Sequence, residues 1–354
     1  MEALAGDKKN AYHFFYNARS KVELGFPWLS LPGRELRVFN YPNKLLDLTS
    51  ASLRWPKIDK LAGGVDVYFL PHFLRASVAQ AAKVTTFHDL SFEYHPEFFS
   101  ARHRLWHKLM NPKARAKEAD LIIAVSQSTK EDLTSLYAID EKKIKVIYSG
   151  VESGLSDDQP DQEKLEAARK KYRLPQRFIL FFGTIEPRKN LRGLVESFNL
   201  LKREKKFADL HLVMAGSFGW LFKDIVAQAK KSRWSSHIHF PGFIDYQDKG
   251  TLYRLADVFV YPSFFEGFGF PPLEAMACGI PVVCSNKTSL PEIVGDAGML
   301  VDPYLPGEIA EATKLVLEED DFKKILIERG KKRVLKFTWE KTAKEFLEVI
   351  EKLR

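Results

Sequence analysis

Cysteine is nearly absent from this sequence: Cys278 and Cys284 are its two examples in 354 residues. Two thiols exclude the disulfide framework of a small secreted domain and leave too few ligands for a cysteine-built metal centre. No run reaches the ~18 uncharged apolar residues of a membrane-spanning helix. The opening residues carry no secretory-leader pattern. Low-complexity tracts and short internal repeats are also missing. The expected setting is a reducing cytoplasm.

Hydrophobic residues make up 45% and charged residues 28%, an ordinary globular composition. The length suits two domains better than one. The net charge of +8 is uneven: residues 1–150 hold 22 Lys/Arg against 16 Asp/Glu, and the remainder holds 32 against 30. A basic excess of this kind fits nucleic acid, anionic lipid, an anionic acceptor or simply a solvated surface.

From residue 178 onward, apolar runs alternate with helical patterns. FILFFG (178–183), LHLVMAG (210–216), HIHFPG, DVFVYPS and PVVCS read as strands too apolar to have a wet face. Helical spacing marks 190–206 and a segment from about 220. This βαβα rhythm argues a parallel sheet covered on both sides. The first part repeats it less cleanly, with AYHFFYN, LRVFN, VDVYFL, KVTTFHDL, DLIIAVS and KIKVIYS as strands and the best helix at 126–137. Two doubly wound α/β domains are therefore expected, over 1–152 and 165–339, joined by the polar segment SGLSDDQPDQEK (153–164). The opening MEALAGDKKNAYHFFYN reads as the tail of a helix, a turn and a strand. A doubly wound domain normally begins with a strand and a turn ahead of that helix. The first domain is thus expected to lack its leading strand and Gly-rich turn.

The stretch F-F-E-G-F-G-F-P-P-L-E-A-M-A-C-G (264–279) sets two acids, Glu266 and Glu274, eight positions apart. Pro271 and Pro272 fit the first turn of a helix, and Gly279 its C-terminal end. Gly267 and Gly269 let the backbone approach a ligand closely. A glycine turn feeding a helix N-terminus offers amides and a positive dipole end to an anion. Glu266 is expected in the turn and Glu274 in the first helical turn, both facing a polyhydroxylated ligand whose diphosphate the amides hold. Ordinary acids at a helix start are the plain alternative for either one alone. A second string, F-F-G-T-I-E-P-R-K-N (181–190), leaves a strand through Gly183 and enters a helix capped by Asn190. Arg188 and Lys189 are placed to reach phosphate oxygens, or form a basic pair on a solvated loop.

On these residues the chain resembles family 4 glycosyltransferases, retaining enzymes of the GT-B fold. The resemblance runs strongly over 178–354, through GTIEPRKN, LVMAG, HFPGFI, the whole of 257–303 and FTWEKTAKEFLEVIEKL, and more loosely over 65–150. It implies two Rossmann-like domains facing a central cleft, with the closing helix 340–354 packed on the first. It implies a nucleotide-sugar donor, with Glu266 at the hexose hydroxyls, Glu274 at the ribose and Lys189 at the diphosphate. Thr184 stands where many members carry arginine, so Arg188 is expected to supply the second charge. Gly183, Gly216 and the backbone at Phe268, Gly269 and Phe270 would meet phosphate or hexose, and that near Phe243 and Ile244 the base. His88, in T-T-F-H-D-L, would face the donor sugar across the cleft; His72 is left between a structural and an acceptor-side role. No metal and no cofactor beyond the donor are expected. GTIEPRKN and EGFGFPPLEAMACG lean toward bacterial mannosyltransferases and GDP-mannose, with a glycan or lipid-linked acceptor. The rival readings are a GT-B sugar-nucleotide epimerase and a non-catalytic sugar-nucleotide-binding scaffold. The basic segment 101–117, with Leu105, Trp106, Leu109 and Met110 interspersed, reads either as an ordinary surface helix or as a contact with the anionic inner face of a membrane. Nucleic acid is not expected, since no aromatic stacking platform is present.

Overall fold

The computed structural model describes residues 2–4, 6–17, 26–42, 49, 53, 55–152, 154–157 and 161–353. The first domain holds β1 (Tyr12–Asn17), β2 (Arg34–Phe39), β3 (Val67–Leu70), β4 (Ala82–Phe87), β5 (Leu121–Ala124) and β6 (Ile144–Val146). All pair parallel, but in two sheets: β1 with β2, and β3-β4-β5-β6 in sequential order. β4 and β5 are the buried centre of the larger sheet. Phe87, Ile122 and Leu133 pack on one face with Phe73 and Met110, and Val84, Ile123 and Ile147 pack on the other. The helix Trp339–Glu351 covers that second face through Val349 and through Phe346, which meets Phe69 edge-on at 4.8 Å.

The second domain holds β7 (Phe178–Phe182), β8 (His211–Ala215), β9 (Ile238–Gly242), β10 (Val258–Tyr261), β11 (Val282–Ser285) and β12 (Met299–Val301). They form one parallel sheet in the order β12-β11-β10-β7-β8-β9. This is a doubly wound order, and the chain reverses its direction of travel between β7 and β10. Ligands of open α/β sheets bind at such a switch, outside the carboxyl ends of the strands.

Several expectations need correction. The first domain is parallel as expected but not one sheet. In the second domain β7, its first strand, lies between β8 and β10. In the first domain β1 and β3 hold the corresponding flanking places, and no strand among the described residues pairs between them. A cavity of about 960 Å³ lies there, lined by Phe14, Phe15, Val67, Phe69, Phe346 and Ile350 among others. The helix expected over 190–206 spans Leu191–Leu201, because Leu201 is the last apolar residue that helical spacing sends into the core. The segment 101–117 is two helices, Ala101–Met110 and Pro112–Glu118. Asn111, at φ 50°, ends the first and caps the second, and Pro112 cannot continue a helix that lacks its amide. The helix Gln162–Tyr172, capped by Asp161, begins inside the expected linker and ahead of the expected boundary at 165; residues 153 and 158–160 of that linker lie outside the described residues. β12 went unread because three residues carry no usable period.

Candidate active site

The site grows from the carboxyl ends of β7 and β10. β7 leaves the sheet through Gly183, whose carbonyl lies where a Cβ on Gly216, at the end of β8, would stand 2.0 Å away. Gly216 also holds φ +129°, so the two strand ends can close on each other only with glycine there. The chain then runs through Glu186, Arg188 and Lys189 to Asn190, whose side chain accepts from Gly193 N and starts the next helix, as expected.

Arg188 and Lys189 are not on a solvated loop. Both are turned inward onto Glu266, which follows β10. Lys189 Nζ lies 2.6 Å from Glu266 Oε1 and donates to the Tyr261 hydroxyl at 2.6 Å. Arg188 Nη1 lies 2.9 Å from Glu266 Oε2 and donates to the Phe265 carbonyl at 2.8 Å. Its other edge meets Glu186 Oε1 at 2.9 Å. Burial alone would push the Glu266 carboxyl up, but Arg188 and Lys189 more than offset it and hold the group at about 2. Burial and then Arg188 push the Lys189 ammonium down. Burial likewise opposes the Arg188 charge, and Glu266, Asp89 and Glu186 outweigh it. Two cations face two carboxylates in a nearly dry corner, a fixed and charge-balanced cluster.

The helix after the glycine turn spans Phe270–Ala277, with Gly269 as its cap. Glu274 therefore stands in the second turn rather than the first, because the helix starts one residue ahead of the two prolines. Its carboxylate meets Lys249 Nζ at 2.5 Å and the Tyr253 hydroxyl at 2.9 Å. Pro271 and Pro272 have no amide hydrogens, so any anion at this helix end would use the backbone up to Phe270. Phe268 is buried and Phe270 is exposed. At the end of β9, Phe243 stands 70% exposed while Ile244 is buried, so only the first offers a free face to a ligand.

His88, at the end of β4, faces this loop from the first domain. Its ring Nε2 lies 2.8 Å from the Pro71 carbonyl. The His88 carbonyl sits against Gly267 so closely that a Cβ there would meet it at 1.8 Å. His72 lies 5.8 Å from His88, ring to ring, and burial followed by His88 lowers its imidazole to about 4. Neutral His72 therefore sits behind His88 near neutral pH. Phe98 stacks on Phe264 at 5.5 Å and Tyr94 tilts against Phe265 at 5.6 Å, continuing the seam between the domains.

The structure thus gathers Glu266, Arg188, Lys189, Gly183, Gly216, Phe268, Gly269 and His88 at one cleft, with Glu274 beside it on the same helix as Phe270. Sequence reasoning missed Glu186, Tyr261, Lys249, Tyr253 and Asp89. Glu186 and Asp89 lay inside quoted strings and were legible as acids beside basic or strand-end positions. The tyrosines and Lys249 gave no signal. Among the described residues no group of three or more His, Cys, Asp or Glu side chains is arranged to hold a metal ion, and none of the helices is long and apolar enough to cross a membrane. Both cysteines are buried and unpaired.

On the ribose role that the family resemblance implies, Glu274→Gln is expected to keep the helix and weaken nucleotide binding. Losing one charged acceptor costs roughly 1.5–3 kcal/mol, or about 10- to 150-fold in affinity. Calorimetric titration with a nucleoside diphosphate checks this; an unchanged affinity would remove Glu274 from the site.

Residues 161–333 match the model of glycosyl transferases group 1, and residues 13–154 match that of glycosyltransferase family 4. An O-antigen chain mannosyltransferase B of Escherichia coli is 36% identical over 280 residues, covering 77% of this chain and 69% of that protein. The serotype-specific mannosyltransferase WbdA of Escherichia coli is 33% identical over 235 residues, and this chain spans 29% of its length. Among solved structures, sucrose-phosphate synthase of Thermosynechococcus elongatus superposes with a TM-score of 0.75 at 22% identity, covering 99% of this chain and 91% of that one. HepE of Anabaena, in complex with UDP and glucose, gives 0.71 at 19% identity, covering 95% and 91%. At these identities the superpositions speak for the two-domain fold alone. The family match carries further: with both halves matched in order and a 36% identical relative covered over 69% of its length, the chain belongs to the group 1 glycosyltransferases and has the GT-B fold.

Proposed function

We propose that this glycosyltransferase moves a hexose, with mannose from GDP-mannose as the expected donor, to a hydroxyl of a glycan or lipid-linked acceptor, with retention at the anomeric carbon and without a bound divalent ion. The observation that carries the reading is the buried Glu266–Arg188–Lys189 cluster at the switch between β7 and β10. Each oxygen of Glu266 has one cation, and the carboxylate's remaining acceptor capacity goes to a sugar hydroxyl. Arg188 and Lys189 then supply the positive charge that meets the donor diphosphate, and that charge does the work that a metal does elsewhere. Glu274 takes the ribose, and Phe243 with the backbone at Ile244 takes the base.

In the transfer step the bond from the anomeric carbon to the diphosphate oxygen breaks and a bond to the acceptor oxygen forms. The acceptor proton leaves with the departing nucleoside diphosphate. A front-side displacement of this kind needs a stabilised leaving group more than a protein nucleophile, and His88 faces the sugar across the cleft. The lean toward mannose rests on the relatives named above. A lipid-linked acceptor is favoured by Leu105 and Leu109, 57% and 56% exposed on a helix that also exposes Arg102, Arg104 and Lys108, a face suited to an anionic inner membrane leaflet.

The test compares GDP-mannose with UDP-glucose, by thermal shift and by donor turnover, with and without excess chelator. GDP and GDP-mannose at 100 times their dissociation constant should add about 2.7 kcal/mol of stability. Turnover should survive the chelator. Preference for the uridine donor would overturn the donor assignment, and loss of turnover restored by a divalent ion would overturn the metal-free chemistry.

A further inference from the structure

Glu292 belongs to the second domain, in the short helix Leu290–Val294, and its carboxylate crosses to the first. Oε2 accepts from Gln127 N at 3.0 Å, and Oε1 accepts from Ser128 N at 2.9 Å. The Tyr148 hydroxyl donates to Oε2 at 2.9 Å. Gln127 and Ser128 open the helix Gln127–Tyr137, whose leading amides and positive dipole end suit a carboxylate. Burial and then Glu292 push the Tyr148 phenol up to about 12, so it remains a donor throughout the neutral range.

The segment carrying Glu292 also braces the glycine loop. Thr288 Oγ1 accepts from Glu266 N at 3.0 Å, and Ser289 Oγ donates to the carbonyls of Glu266 and Phe268 at 2.9 and 2.8 Å. From the first turn of the same first-domain helix, Thr129 Oγ1 donates to the His88 carbonyl at 3.3 Å and lies 3.5 Å from that of Gly267. Arg333 donates to the carbonyls of Glu292 and Ile293 and fixes the brace from behind. One five-residue segment, 288–292, therefore holds the loop with its first two side chains and the opposite domain with its last.

We propose that Glu292 is a latch: by seating on the amide end of the Gln127–Tyr137 helix it holds the two domains closed and sets the 266–268 loop in register with His88. It is a positioning residue and touches neither the donor cluster nor His88. When the domains part, the carboxylate and the two amides separate, so the latch favours the closed arrangement without binding nucleotide.

The test uses Glu292→Gln, which keeps the shape but loses the charge and one acceptor, and Gln127→Pro, which removes the amide on the other side. Proline is accepted at the first helical position, and Ser126 before it is already extended at φ −155°, ψ 163°, as a residue preceding proline requires. Each variant is expected to show a larger radius of gyration by X-ray scattering and GDP affinity changed by no more than roughly twofold. Donor turnover should fall about tenfold, a usual size for coupling between sites. The double variant should lose less than the sum of the two singles, because both weaken the same seat of the Glu292 carboxylate. Unchanged scattering, or additive losses in the double variant, overturns the latch. Loss of GDP affinity in step with turnover also overturns it, since Glu292 would then be serving the nucleotide. Because the latch rests on the glycosyltransferase reading only for turnover, a wild-type protein that ignores GDP overturns the donor assignment and leaves scattering to decide the latch.

Discussion

Glu266→Ala is expected to cost both stability and activity, and to cost more than any other single change at the cleft. It would leave Arg188 and Lys189 buried beside each other, with Glu186 in contact and the more distant Asp89 to balance them. Removing one partner from a buried ion pair costs about 3–5 kcal/mol. For a domain of this size each kcal/mol moves the melting temperature by roughly 2–4 °C, so the second domain should melt roughly 10 °C lower. Donor turnover should fall to background, because both cations lose the group that aims them. The pH dependence supplies a second reading. The folded-state Glu266 pKa is depressed, from the ordinary 4.5 to about 2. Its contribution is fully present above the unfolded value and is lost as pH falls through the folded one. By linkage the shift is worth about 3 kcal/mol at neutral pH. Calorimetry between pH 7 and 2 should therefore show the wild type losing stability below about 4.5, and Glu266→Gln losing less over the same window. A melting temperature unchanged in Glu266→Ala would mean that the cluster does not hold this end of the sheet together.

Gly267→Ala is expected to lose transfer while keeping the nucleotide. Its added methyl would stand 1.8 Å from the His88 carbonyl oxygen, 2.7 Å from the carbonyl carbon and 2.8 Å from Asp89 Cβ. Two of those atoms are backbone at the end of a buried strand and cannot turn aside, so one domain must retreat from the other. A displacement of about 1 Å at the reacting groups is enough to cost on the order of 100-fold in rate. The second domain's own sheet and its Glu266 and Glu274 contacts need not change, so nucleotide affinity should stay near that of the wild type. Turnover measured beside calorimetric nucleotide binding separates the two effects. Wild-type turnover in Gly267→Ala would show that the close approach of His88 to this loop is not the working arrangement.

The second domain could be read almost whole from the chain. FILFFG, LHLVMAG and DVFVYPS announce strands buried on both faces, because a parallel sheet between helix layers leaves no position for a polar residue. Asn190 at a helix start and the pair Pro271–Pro272 announce helix beginnings, because capping and proline geometry are local. The glycines and prolines between Glu266 and Glu274 announced a turn feeding a helix for the same reason. These features depend on neighbours within a few residues, and the sequence displays such neighbours directly.

What the sequence left undetermined was decided by strand order and by the meeting of two domains. Arg188 and Lys189 are a basic pair on paper; they become the counter-ions of Glu266 because β7 and β10 are adjacent in the sheet although three α-helices and two strands separate them along the chain. Lys249 and Tyr253 become partners of Glu274 only when their helix lies against the one after β10. Glu292 looks like an acid at the start of a short helix until the first domain brings two amides to it. The division of the first domain into two sheets, with a cavity between β1 and β3, is likewise a matter of which edges meet. Periodicity encodes which face of an element is buried. It does not encode what that face is buried against, because that contact depends on chain closure over tens to hundreds of residues, and only the folded tertiary structure supplies it.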